Sequence, residues 1–582
     1  MSLTRRRLLE AVGIIAGSAL TLPGSFAPTV MAAGNWAHGP AFEALKDRLG
    51  ERLLAVTSPL QPCLASAGSA ACTERLEALQ NPFFIQDQPG GFQTNGWLKA
   101  WTAEVSPFAV AAESAEDVAA GVTFARDQGV KLVVKGAAHD YLGRNSAPDS
   151  LLVWTHRMRE VSFDPDFRIA GGDSASPGLP ALSAGAGTRW IEAYQAASAA
   201  DRYVQGGGCT SVGVAGGFIQ GGGFGSFSKR YGTGAGSVLE FEVVTADGKI
   251  RIANAVQNSD LFWALRGGGG STFGIVTRVT LLTHPRPKTV GLFSGRIVAG
   301  SDEKLRTALQ QLVAWYPQAL NNPDWGEQIA IKPDNDIDIF MTFLDVSAEA
   351  ALALWQPLKS ALEGEGITVE LQAKTLPFAA LWDQGAWEKG DPAFIRRDSR
   401  ADAEPDHYWW APNQGEVGQF IDSYTSRWLP RSLFEQETAP ALAEALFDAS
   451  RHARIVLHIN KGLSGASEEV LAREGTTSVN PLAQEAAALV ISTATQQRRY
   501  PGLAGHEPDL ESGRIAAEKV TAAIAVLRAA TPGGGAYVNE ADYFEPDWQQ
   551  SFYGPHYERL LAIKRKYDPG NLFRVHHGVG SG

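Results

Sequence analysis

Glycine gathers in three short runs, each where a strand pattern ends or begins, and this limits the possible folds more than any other feature. The longest reads Gln205-Gly206-Gly207-Gly208-Cys209-Thr210-Ser211-Val212-Gly213, then Gly216-Gly217 and Gly221-Gly222-Gly223. Upstream lies Lys135-Gly136-Ala137-Ala138-His139-Asp140-Tyr141, and downstream Gly267-Gly268-Gly269-Gly270 leads into Phe273-Gly274-Ile275-Val276-Thr277. Backbone without side chains can approach an anion closely, which suits a phosphate cradle; the same runs also serve tight turns. Three of them in one stretch of chain favour the cradle. No dinucleotide fingerprint stands between a strand and a helix, and no Walker lysine pattern is present, so a standard nucleotide fold is disfavoured.

Around the runs, periodicity predicts alternating elements. Residues 106–135 read strand, helix, strand: Ser114 can cap a helix, Val118, Val122 and Ala125 recur at helical spacing, Gly129 stops it, and Leu132-Val133-Val134 is a buried strand. Val238 to Thr245 alternates as a strand and turns at Asp247-Gly248 into Ile250-Arg251-Ile252, a hairpin. Asp260 to Arg266 is helical. From about residue 286 to 530, helical stretches such as Glu303 to Tyr316 and Ala348 to Leu362 alternate with strands such as Ile337 to Phe343 and Arg454 to Ile459. A strand at Tyr537 and an amphipathic helix closed by Asp568-Pro569 end the chain. At 582 residues the chain exceeds what one core supports.

The start, Thr4-Arg5-Arg6-Arg7-Leu8-Leu9, an apolar run to Leu22 and Val30-Met31-Ala32, reads as an export signal over 1–32 resembling the twin-arginine type; the apolar stretch is short for a bilayer span. Of three cysteines, Cys63 and Cys72 are expected to pair in an oxidising compartment, leaving Cys209 alone. A net charge of −12 argues against nucleic acid and anionic membranes as partners. No metal site is expected, and the oligomeric state stays open.

The motifs resemble those of the vanillyl-alcohol-oxidase superfamily with a PCMH-type FAD fold, close to its berberine-bridge-enzyme-like branch. They are the two runs around His139 and Cys209, the segment Asp260 to Thr277, and the closing stretch Tyr553-Gly554, Tyr557 to Leu560 and Lys564 to Phe573. The resemblance implies an α+β architecture: a PCMH-type FAD-binding domain of two α/β subdomains over 95–285, and a substrate domain over 286–530 with an antiparallel sheet covered by helices. Residues 33–94 form an N-terminal segment, and 531–582 return to the FAD domain. It also implies FAD bound twice, through His139 to the 8α-methyl group and through Cys209, as a thiolate near electropositive groups, to C6. Further cofactor contacts fall on Lys135, Gly136, Ala137, Ala138, Asp140, Tyr141, Gly208, Thr210, Val212, Gly213, Gly216, Gly217, Gly274, Ile275, Val276, Asn539 and Asn571. Ala137 and Ala138 replace the family's glycines, and Asp140 its serine.

Plant members carry Tyr-x-Asn-Tyr-x-Asp near the C-terminus with the second tyrosine as base. Here Tyr537-Val538-Asn539-Glu540-Ala541-Asp542 puts Glu540 at that position. A carboxylate can accept a hydroxyl proton when burial raises its pKa; a plain surface charge is the competing reading. His458, Lys461 and Gln414 complete the catalytic candidates. The expected activity is an exported oxidase of a hydroxyl-bearing small molecule, an alcohol, a sugar or an aromatic or polyketide alcohol, with hydride passing to flavin N5 and O2 becoming H2O2. A dehydrogenase with another electron acceptor and a non-catalytic binding protein are the alternatives.

Overall fold

Strand Phe108–Ala111, helix Ala115–Gln128 and strand Lys131–Lys135 form the expected strand–helix–strand unit in the computed structural model, which describes residues 35–581. The Ser114 hydroxyl accepts from the Asp117 amide at 3.2 Å, a cap worth about 1 kcal/mol, and Gly129 ends the helix at φ 65°. Val118, Val122 and Ala125 are all buried. Phe108–Ala111 and Lys131–Lys135 both pair parallel with Ser150–Trp154, and Leu53–Ala55 adds an antiparallel edge. A second, antiparallel sheet runs Ile250–Asn254, Val238–Val244, Ile275–Pro285, Leu179–Gly185, Val161–Phe167, with Arg202–Val204 on the far end of Ile275–Pro285. The two sheets form the two α/β halves of the expected flavin domain.

The second domain is a nine-stranded sheet with one parallel neighbour pair. Helices Asp302–Ala319, Ala348–Gly364, Ala439–His452 and Leu510–Ala530 cover one face, where Leu429 and Val490 join their core. Because side chains alternate along a strand, Trp428, Leu489 and Ile491 point the other way, into a core shared with Phe224 and Tyr537. The open face of this sheet is therefore the roof of the flavin domain.

Two differences from the sequence expectation concern the ends of the chain. The N-terminal segment supplies strand Leu53–Ala55 to the first sheet, while Thr94–Trp97 and Trp101–Thr102, at the start of the expected flavin domain, finish the nine-stranded sheet of the second domain. The strand expected at Tyr537 is a turn, closed by the Glu540 amide donating to the Tyr537 carbonyl at 2.8 Å. The Tyr537 amide donates to the Ser426 hydroxyl, so this backbone satisfies itself without a ladder. The expected export signal lies outside the described residues.

Cys63 and Cys72 form the disulfide. They pack in one cluster with Ala138, Val417 and Tyr500, so the bridge backs two loops of the functional site. Cys63→Ser/Cys72→Ser is expected to lower unfolding free energy by about 2–3 kcal/mol, from the closure entropy of so short a loop; denaturant unfolding measures it, and no change would mean the cluster holds without the bridge.

Candidate active site

Loops from all three glycine runs line one cleft. Lys135, Gly136, Ala137, Ala138, His139 and Asp140 come from the first, Val212, Gly213, Gly216 and Gly217 from the second, and Gly274, Ile275 and Val276 from the third. Thirteen of the nineteen residues proposed for the cofactor thus meet here. Small residues are required where the loops touch: a Cβ on Gly213 would stand 3.2 Å from that of Ala137. Gly216 and Gly217 face open space. Ala138 adopts φ 59°, the left-handed region where the family's glycine would be unstrained.

Several residues do something other than expected. The Lys135 ammonium donates to the carbonyls of Gln88, Pro89 and Gly91, fastening the N-terminal segment beneath the first loop; burial pulls it down to about 7. Asp140 folds its own loop, accepting from the amides of Leu142, Arg144 and Asn145 and from the Arg144 guanidinium at 2.8 Å. Thr210 donates to the Tyr408 carbonyl at 2.6 Å, a link between domains. Gly208 offers its carbonyl to the Trp410 indole at 2.7 Å. Asn539 donates to the carbonyls of Gly217 and Phe218 and to the Tyr537 hydroxyl, so it holds the cleft wall from behind. Asn571 is not brought to this cleft: held at φ 51° after the last helix, it bonds the Gly580 carbonyl and lines a separate groove with Trp548 and His577.

His139 and Cys209 meet through Ser211. The Ser211 hydroxyl lies 3.0 Å from His139 Nε2 and 3.7 Å from Cys209 Sγ. Burial holds the imidazole down at about 4, so it is a neutral nitrogen nucleophile across the physiological range. The thiol differs from the expectation of an activated thiolate. Burial and then the charge of Glu416 push it up to about 12, and only Ser211 works in the other direction. Two attachment chemistries with opposite pH behaviour follow. When apoprotein is loaded with FAD, linkage in Cys209→Ala is expected to be flat above about pH 5. Linkage in His139→Ala is expected to accelerate about tenfold per pH unit, following its thiolate fraction. Equal pH dependence in the two variants would remove this assignment.

Glu540 stands beside the cleft, and both its oxygens accept from the Lys461 ammonium, at 2.5 and 2.6 Å. Two of the proposed catalytic residues are thus an ion pair. His458, at the end of strand Ile455–His458, is held well below its ordinary range by burial and by Lys461; its Nδ1 has no hydrogen-bond partner among the described residues. Gln414 is occupied structurally, accepting from the Trp409 indole and donating to the Gln80 carbonyl, both at 2.9 Å. These two bonds give it a structural role in the turn.

Three contributors escaped the sequence reading. Ser211 sits inside the quoted motif, and its bridging role could have been sought there. Glu416 takes a hydrogen bond from the Tyr141 hydroxyl at 3.4 Å, and the Tyr141 ring stacks on Tyr424. Glu327 sits at φ 80° within strand Trp325–Ile331 and accepts from the Ser226 hydroxyl just past the second glycine run. Nothing in the sequence around the two glutamates marks them.

The cleft fits FAD on its own features: bare amides from three loops, open space beside Gly216 and Gly217, and a neutral imidazole and a cysteine joined by one serine. Comparisons with known proteins agree. Residues 107–254 match the model of an FAD binding domain, and 536–580 that of berberine and berberine-like proteins. The FAD-linked oxidoreductase easE of Trichophyton verrucosum is 33% identical over 488 residues, covering 81% of this chain and 74% of that protein. The crystal structure of the VAO-type flavoprotein MtVAO615 from Myceliophthora thermophila superposes with a TM-score of 0.75 at 26% identity, over 96% of this chain and 97% of that one. Glucooligosaccharide oxidase from Acremonium strictum, whose FAD is 6-S-cysteinyl and 8α-N1-histidyl, shares the fold with a TM-score of 0.66 at 20% identity, over 90% and 100%. The chain belongs to the FAD-linked oxidoreductases of the vanillyl-alcohol-oxidase superfamily, in the berberine-bridge-enzyme-like branch.

Proposed function

We propose that the protein is an exported FAD-dependent oxidase of a hydroxyl-bearing small molecule, an alcohol or a carbohydrate, returning electrons to O2 as H2O2. The observation that carries this reading is the Glu540–Lys461 pair beside the flavin cleft. FAD, held through His139 and Cys209, supplies the two-electron acceptor. Glu540 takes the proton of the substrate hydroxyl. Lys461 orients Glu540, and with two of its three N–H donors committed there, it retains one for a substrate oxygen. Trp410, fixed over Gly208 next to Cys209, gives a ring on which a sugar or aromatic substrate can stack. The fold neighbour that oxidises glucooligosaccharides and carries a doubly linked flavin supports both the substrate class and the double attachment. The disulfide suits an oxidising compartment and so supports export.

The test is anaerobic mixing of the holoenzyme with panels of primary alcohols, secondary alcohols and oligosaccharides, followed by exposure to air. Bleaching of the flavin absorbance and peroxide release on reoxidation are expected. Bleaching followed by slow reoxidation would replace the oxidase by a dehydrogenase with another acceptor. No bleaching with any hydroxyl compound would sink the reading.

A further inference from the structure

Ser211 sits where the second glycine run is held most tightly. The Val212 amide donates to the Cys209 carbonyl at 3.4 Å and closes a turn around Thr210 and Ser211. The Thr210 and Val212 carbonyls accept from the Ile191 and Trp190 amides at the start of helix Trp190–Ala199. The Ser211 carbonyl accepts from the buried Gln86 side-chain amide at 2.7 Å, and Gly208 and Thr210 are tied to strand Tyr408–Trp410. Ser211 itself is only 1% exposed. Its hydroxyl is shut off from water, and its partners are His139 Nε2 at 3.0 Å and Cys209 Sγ at 3.7 Å.

A hydroxyl has one hydrogen to donate and two lone pairs to accept with, so the chain through Ser211 runs in one of two directions. In the first, His139 Nε2–H donates to Oγ, and the Ser211 hydrogen goes to sulfur. In the second, the Cys209 S–H donates to Oγ, and the Ser211 hydrogen goes to Nε2. The direction decides the chemistry of both ends, because the hydrogen bond at one imidazole nitrogen fixes what the other nitrogen carries. The second direction puts a hydrogen on Nδ1 and keeps the sulfur a thiol. The first leaves a lone pair on Nδ1 and supports negative charge on sulfur. His139 lines the cleft, and its Nδ1 has no hydrogen-bond partner among the described residues that could accept such a hydrogen. At Cys209, burial and then Glu416 work against the thiolate, and the Ser211 hydroxyl and amide work for it. Only the first direction makes both residues nucleophiles.

We propose that Ser211 is a positioning residue for flavin attachment: its one hydroxyl accepts from His139 Nε2–H, which leaves the Nδ1 lone pair free, and donates its own hydrogen to the Cys209 sulfur. This rests on the double attachment proposed above. At His139 the bond from Nδ1 to the 8α carbon forms as one methyl C–H bond breaks and Nε2 gives up its hydrogen. At Cys209 the bond from Sγ to C6 forms as the C6–H and S–H bonds break. In each case O2 takes the two electrons and two protons released and leaves as H2O2. Ser211 forms no bond to the cofactor and is unchanged at the end.

The experiment places Ser211→Ala and Ser211→Thr in the Cys209→Ala and His139→Ala backgrounds, loads each apoprotein with FAD, and follows linkage by intact mass after denaturation. Ser211→Ala is expected to slow linkage about tenfold in both backgrounds, the worth of one hydrogen bond, and Ser211→Thr, which keeps a hydroxyl, to hold the original rates. Affinity for FAD before linkage, read by quenching of flavin fluorescence, should not change. In apoprotein with His139 and Cys209 intact, Cys209 is the one unpaired cysteine of three, so a disulfide reagent such as dithiobis(nitrobenzoate) reports on its sulfur alone. Ser211→Ala should slow that reaction about tenfold as well. Slower linkage at only one of the two residues, a loss that tracks a fall in FAD affinity, or a Cys209 that reacts as fast or faster in Ser211→Ala overturns the proposal. Should the wild type carry no linked flavin, the attachment reading falls and the proposal with it, and the thiol reaction still decides whether Ser211 acts on the sulfur.

Discussion

The double variant His139→Ala/Cys209→Ala is expected to release all of its flavin on denaturation, while each single variant keeps some. The reason lies in the shared Ser211 hydroxyl, which keeps Cys209 next to His139 at the wall of the cleft. The two should not be equivalent. The neutral imidazole of His139 is ready at any ordinary pH, so Cys209→Ala should carry a full complement of linked flavin. Cys209, its thiol pushed up to about 12, should leave His139→Ala only partly linked after the same loading time at neutral pH. Intact mass after denaturation, with the visible spectrum of the unfolded protein, measures all four proteins. A double variant still carrying one FAD in covalent linkage would move the attachment elsewhere. A wild type with no added mass would leave a dissociable cofactor in the same cleft.

Replacing Glu540 by glutamine is expected to slow flavin reduction by about 10²–10⁴-fold, the usual worth of a positioned general base, with FAD binding retained. Glutamine keeps the shape and can still accept from Lys461, but it cannot take the substrate proton. The loss should therefore fall on the reduction rate and much less on substrate affinity. Lys461→Met is a harsher change. It strands the Glu540 carboxylate in a half-buried setting, where breaking an ion pair costs about 3–5 kcal/mol when burial is complete and less here. Both substitutions should lower stability, since each strands one charge of the pair, and Glu540→Gln the less because its side-chain carbonyl still accepts from Lys461. Unchanged anaerobic reduction in Glu540→Gln would remove Glu540 from the reaction.

Much of the flavin domain was legible because its signals are local. Ser114 and Gly129 bracket a helix whose apolar face shows in its own spacing, and Asp247-Gly248 announces a hairpin. The glycine runs mark loops that must approach one another and a ligand closely. What escaped depends on contacts distant in sequence. Thr94–Trp97 pairs with Gln419–Pro430, and no pattern in either segment names the other. The Tyr537 stretch has strand-like composition, yet its hydrogen bonds run to Ser426 and within its own turn. Glu416 looks like any loop charge until the fold sets it against Tyr141 and near Glu540. Gln414 and Asn571 show the reverse case: each is a polar side chain in a motif whose hydrogen bonds in the fold run to Trp409, Gln80 and Gly580.

The glycine loops are held from the end of the chain. Tyr537 takes a hydrogen bond from the Gly223 amide, Asn539 grips the Gly217 carbonyl, and the buried ammonium of Lys564 bonds the Thr272 carbonyl just past the third run. A ribosome will therefore have made every wall of the cleft before it makes the residues that lock them. A polypeptide stopped at residue 530 would carry both nucleophiles and all three runs but lack the Tyr537, Asn539 and Lys564 side chains that fasten the glycine loops.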